Sequence, residues 1–140
     1  MSDKINPFEK KKKGVFFFKS SNPYEFYDLL NGKNMDDKQD VWGTLIFPEN
    51  AKKPCPLIIP IHGSAGLREG HHTHMVNLLD AGFAIFRIHH FESRGVISIV
   101  ENQTEVTLAS MITDAFRALT LVSKHPDVDS DKIGIMGWSL

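Results

Sequence analysis

The stretch 56–63, Pro-Leu-Ile-Ile-Pro-Ile-His-Gly, is apolar at nearly every position. A strand with one face in water alternates apolar and polar side chains, so a continuous run suits a strand covered on both faces, as in a parallel sheet. Two later segments read the same way, Phe-Ala-Ile-Phe-Arg-Ile at 83–88 and Lys-Ile-Gly-Ile-Met-Gly at 132–137. Helical patterns separate them. Residues 74–82 form one, with Gly82 as its C-terminal stop. Residues 103–125 form the other: Val106, Ala109, Ile112, Phe116, Leu119 and Val122 recur at helical spacing until Pro126 forbids continuation. Strand, helix, strand, helix, strand predicts an α/β fold, a parallel sheet with right-handed crossovers.

Upstream, 14–20 and 41–48 are rich in aromatic and β-branched residues and are bounded by turn formers, so two more strands are expected, joined by a polar connection. The division is an N-terminal segment with the first strand, 1–40, and a main body, 41–140. The lysine run 10–13 reads as a solvated surface. With 140 residues and a formal net charge of −1, the chain has room for one core and carries no global basic field for nucleic acid. No apolar run reaches the roughly 18 residues of a membrane span, and the start has no signal-peptide pattern, so the expected location is cytoplasmic. The single cysteine, Cys55, has no disulfide partner and is expected to pack.

Chemistry enters at two strand ends. Gly137-Trp138-Ser139 follows the last strand and matches the start of the G-x-S-x-G turn, in which a serine sits at the tip of a tight strand-to-helix bend. His62-Gly63-Ser64-Ala65-Gly66 follows the strand at 56–63, where a glycine-rich loop can aim a backbone N–H at a developing oxyanion. Each is a common pattern alone. Together they place a nucleophile and its electrostatic partner on loops at one end of a sheet.

Residues 57–67, 86–96 and 123–140, with the serine motif at their close, resemble the N-terminal half of a dienelactone-hydrolase-like α/β-hydrolase. The resemblance covers most of 41–140 and implies an eight-stranded fold, here cut after strand five and the nucleophile turn. It implies a serine hydrolase acting on a carboxylic ester or lactone through an acyl-enzyme at Ser139. Leu140 N–H and Ser64 N–H would form the oxyanion hole, with Ala65 as the fallback donor. In such enzymes the acid and the histidine follow the serine, so a fragment lacking both, and inactive by itself, is expected. Relatives often carry an Asp near His89, where this chain has a second histidine beside it.

The remaining candidates are weaker. Arg94 is placed to meet a substrate carboxylate. His71, His72 and His74 have a spacing that invites a metal, but no H-E-x-x-H pattern completes it, so no metal and no organic cofactor are expected. His62 reads as a loop-bracing residue. The expected partner is a small-molecule ester or lactone, with no nucleic acid and no membrane. Alternatives are a noncatalytic module that keeps the open cleft, or a histidine metal-binding protein.

Overall fold

The computed structural model describes residues 6–139; Leu140, the expected second oxyanion donor, lies outside the described residues. Among the described residues, five strands form one sheet in the order β1-β2-β4-β3-β5. They are β1 (Gly14–Ser20), β2 (Gln39–Ile46), β3 (Cys55–Ile61), β4 (Ala84–Ile88) and β5 (Val128–Gly137). β2 runs antiparallel to both β1 and β4, whereas β3 is parallel to β4 and β5. The expected alternation from β3 onward is therefore present, and the two early strands extend the sheet on one side.

The helices among the described residues are α1 (Pro7–Lys10), α2 (Phe26–Asn31), α3 (Glu69–Asp80) and α4 (Leu108–Val122), with a 3₁₀ turn at Glu92–Arg94. Side chains alternate across a strand, so β4 separates the two layers. Ala84, Phe86 and Ile88 join Leu57, Ile59, Ala115, Ala118 and Val122 in the main core under α4. Ile85 and Arg87 point the other way, toward Met75, Val76 and Leu79 of α3. Gly43 of β2 leaves room for this core: a Cβ there would lie 2.3 Å from the Phe86 ring.

Several boundaries differ from expectation. α3 begins at Glu69, five residues before the expected 74, because His71 acts as an N-terminal brace: its Nδ1 accepts from Arg68 N–H at 3.1 Å. Its end is as expected, with Gly82 at φ 96° and its N–H donating to Leu79 O. α4 begins at Leu108 and not at 103, since Thr107 caps it by accepting Ser110 N–H at 3.1 Å. The connection 21–38, expected to be a polar link, contains α2.

The apolar stripe of α4 is also divided. Ala109 and Val122 are buried, but Phe116 is 62% exposed and Leu119 38%. The buried face is instead made of small and polar residues, among them Ser110, Thr113, Asp114, Ala115 and Ala118. Ile112, Phe116 and Leu119 line an open apolar groove against Ile133 and Ile135 of β5.

Candidate functional site

The parallel strands β3, β4 and β5 end at one edge of the sheet, where loops gather, and both sequence motifs lie there. β5 delivers Ser139. Trp138 N–H donates to Ile61 O at 3.1 Å, which ties the end of β5 to the end of β3. Immediately after this tie the chain turns, and Ser139 takes φ 52°. Asn34, Asp37 and Asn50 also have positive φ, but Asn and Asp tolerate that region through local side-chain hydrogen bonds. Ser139 is the described exception, a serine held where an L-residue is strained. It is exposed, at the rim of an apolar pocket of about 280 Å³ whose walls include Phe26, Ile61, His62, Met111 and Ile135.

The loop after β3 is pinned from outside. Gly63 and Gly66 close it with a bridge in which Gly66 N–H donates to Gly63 O at 3.0 Å. Ile99 N–H and the Ser98 hydroxyl both donate to Ser64 O, at 2.8 and 3.3 Å. Gly66 has φ 78°, and a Cβ there would lie 3.0 Å from Ile97 O, so only glycine fits without a shift. Among the described residues, neither Ser64 N–H nor Ala65 N–H donates to another group.

His62 braces this loop from inside. It is buried, Nδ1–H donates to Gly63 O at 2.9 Å, and its ring packs edge-on to Phe91 and His90 at centroid distances of 4.5 and 5.5 Å. Burial pushes its pKa down, so the neutral ring is favoured. His71 stacks on Trp138 at 4.4 Å and His74 lies 5.9 Å from the same ring. These histidines therefore make an aromatic wall beside the serine turn.

Arg94, expected to meet a substrate carboxylate, is bonded within the chain. It does not reach for solvent: its side chain is 6% exposed, and all five N–H donors are engaged within the chain. Nη1 and Nη2 clamp Asp114 at 2.8 and 2.9 Å; the others go to Asn22 Oδ1, His90 O and Ser21 O. A substrate carboxylate at Arg94 would have to displace one of these bonded partners.

Asp114 is the hub that the sequence reading missed. With no exposed surface, it accepts four hydrogen bonds, two per oxygen: from Ser20 Oγ at 2.5 Å, His90 Nδ1 at 2.7 Å and the two Arg94 nitrogens. Burial pushes its pKa up, but the bonds from Arg94 and His90 outweigh that and hold it below the usual carboxylate range. The network joins β1, the turn after β4 and α4 beneath the loops. His90 Nε2 is buried with no partner among the described residues, and the His90 ring packs edge-on to His62. The available signal was that Asp114 is the one acidic residue within α4.

No protein-family model and no curated protein matches the sequence. Solved structures do match in fold. A protein assigned as a dienelactone hydrolase from Klebsiella pneumoniae superposes with a TM-score of 0.59 at 16% identity, over 89% of this chain and 50% of its own. Est1E from Butyrivibrio proteoclasticus, in a structure with bound ferulic acid, gives 0.54 at 26% identity over 70% of this chain and 38% of its own. In a second Est1E structure the values are 0.56 and 21%, over 89% and 40%. The chain spans about half the length of the first of these and less of the others. Its sheet order, motif placement and structural neighbours give it the fold of the first half of a dienelactone-hydrolase-like α/β-hydrolase domain.

Proposed function

We propose that this chain carries the nucleophile half of a serine hydrolase acting on carboxylic esters or lactones. The observation that supports it best is Ser139 at φ 52°, exposed at the end of a parallel strand beside an apolar pocket. In this reading Ser139 Oγ attacks the substrate carbonyl carbon, while a histidine from further polypeptide takes its proton and a carboxylate orients that histidine. The charge that develops on the carbonyl oxygen is met by Ser64 N–H, with Ala65 N–H as the fallback, and by Leu140 N–H. Collapse expels the alcohol, protonated by the same histidine, and leaves an acyl-serine. Water then attacks the acyl carbon and gives its proton to the histidine; the bond from that carbon to Ser139 Oγ breaks, the histidine returns the proton to Oγ, and the acid is freed. The pocket walled by Phe26, Met111 and Ile135 suits the apolar part of the acyl group. The esterase and hydrolase names of the structural neighbours agree with this class of chemistry.

The test is hydrolysis of p-nitrophenyl esters by the polypeptide expressed from the full reading frame. Ser139→Ala is expected to lower kcat on the order of 10⁶-fold while the circular dichroism spectrum stays unchanged. Residues 1–140 expressed alone are expected to give no turnover that depends on Ser139. Retention of activity in the full-length Ser139→Ala protein would overturn the assignment.

A further inference from the structure

A second cleft opens at the same end of the sheet, on the far side of the segment 22–26. Tyr24 faces this cleft and Phe26 faces the pocket beside Ser139, so one short segment divides the two. The cleft is about 570 Å³, within the range of small-molecule sites. Its walls are of one chemical kind. Pro23 is the sole lining residue without a polar side chain.

The polar groups are held in place before any ligand arrives. Arg94 Nε donates to Asn22 Oδ1 at 2.7 Å, Asn22 Nδ2 donates to Gln39 Oε1 at 2.9 Å, and Gln39 Nε2 donates to Ser93 O at 3.1 Å. Asp114 anchors this row by clamping Arg94. On the opposite side, Thr107 and Ser110 hydroxyls both donate to Pro23 O, at 2.6 and 3.2 Å, and fasten the segment 22–26 to the start of α4. Capacity remains after these bonds. Ser93 Oγ accepts Trp42 N–H and keeps its own O–H to donate. Asn22 keeps one amide N–H, Tyr24 keeps its hydroxyl, and the Glu105 carboxylate is exposed. The ring of Tyr24 is 61% exposed, with its backbone N–H fixed to Asp28 Oδ2 at 3.0 Å.

This combination selects a ligand class. An anion is disfavoured, because the one cation, Arg94, has no free donor and Glu105 carries negative charge. A purely apolar ligand would strip water from hydrogen-bonding walls and return little. A ring bearing several hydroxyls fits: fixed donors and acceptors match its edges, a carboxylate accepts from neighbouring hydroxyls, and an exposed aromatic face covers its C–H surface. We propose that the cleft binds a neutral polyhydroxylated ring of sugar type. That this ring is the alcohol part of the ester rests on the reading of Ser139 as nucleophile; the binding itself does not.

The probes are methyl glucoside and methyl xyloside, followed by saturation-transfer NMR on the polypeptide expressed from the full reading frame. At least one is expected to bind, with affinity reduced about tenfold by Tyr24→Ala and about tenfold by Glu105→Gln. Both side chains are exposed, so neither change removes core packing. Labelling of Ser139 by a serine-directed phosphonate is run in parallel. Glycoside binding without labelling supports the cleft and contradicts the nucleophile; labelling without glycoside binding at tens of millimolar overturns the cleft alone. Displacement of the glycoside by inorganic phosphate, or binding indifferent to both substitutions, also overturns it.

Discussion

A carboxylate with no exposed surface survives in a helix only if every lone pair and its charge are met, and Asp114 meets both conditions through Ser20, His90 and Arg94. Removing one partner leaves a buried charge uncompensated. Asp114→Ala is therefore expected to destabilise the fold by about 3–5 kcal/mol, read from the midpoint of urea unfolding, because Arg94 then keeps its charge without its acceptor. Arg94→Lys is expected to lower stability as well, since an ammonium cannot supply the two parallel bonds that Asp114 receives. A neutral result for Asp114→Ala would contradict the network account. At the loop after β3, Ser64→Ala retains the backbone N–H and is expected to leave turnover of the full-length protein nearly unchanged. Ser64→Pro removes that N–H and is expected to cost about 2.7–4 kcal/mol of transition-state stabilisation. Equal losses in the two variants would count against Ser64 as the donor.

Among the elements, β5 and α4 together expose an apolar face. Among the described residues β5 pairs only with β3, and Ile135 is 65% exposed beside Ile112, Phe116 and Leu119. A strand with a free row of backbone donors and acceptors and an apolar face recruits other chains. Residues 1–140 alone are expected to bind a hydrophobic dye and to self-associate, and Ile135→Lys is expected to reduce both, measured by fluorescence and by light scattering. Unchanged association in that variant would show that the edge is not the cause. This face also explains how the sequence misleads. Ile112, Phe116 and Leu119 have the spacing of a core stripe, and spacing reports which residues share a face, not what covers it. The helix ends were hidden for a different reason. Thr107 and His71 act through side-chain bonds to backbone and ring atoms, and those bonds exist only once the turn has formed.

At the scale of the whole molecule, alternation of apolar runs and helical periods was enough to read the parallel strands, the α/β class and the positions of both loops. What could not be read were contacts that depend on long-range pairing. Asp114 meets Ser20 across 94 positions, and Arg94 meets Asn22 across 72. Acid sensitivity belongs to the same scale. His62, His89 and His125 all have pKa values pushed down, chiefly by burial. For His125 the geometry shows why: Nε2–H donates to Lys12 O at 2.7 Å, while Nδ1 accepts Asp127 N–H at 2.9 Å and has no place for a proton. Because the folded values lie below the unfolded one, the unfolded chain takes up protons first as pH falls through about 6.5. The stability these groups contribute is full above that pH and is lost below it, and the low pKa of Asp114 adds a further loss in stronger acid. The melting temperature of the full-length protein is expected to hold from pH 8 to 7 and to fall between about pH 6.5 and 5. A rise on acidification would contradict the burial account.

The strained turn after β5 as the seat of a nucleophile is the proposal on which the rest of the chemistry depends. It is tested most directly by treating the polypeptide from the full reading frame with a fluorophosphonate and locating the adduct by peptide mass spectrometry. The account predicts one stoichiometric adduct, on Ser139, absent after Ser139→Ala and absent after denaturation before treatment. An adduct confined to another residue, or none on a cooperatively folded protein, would contradict it.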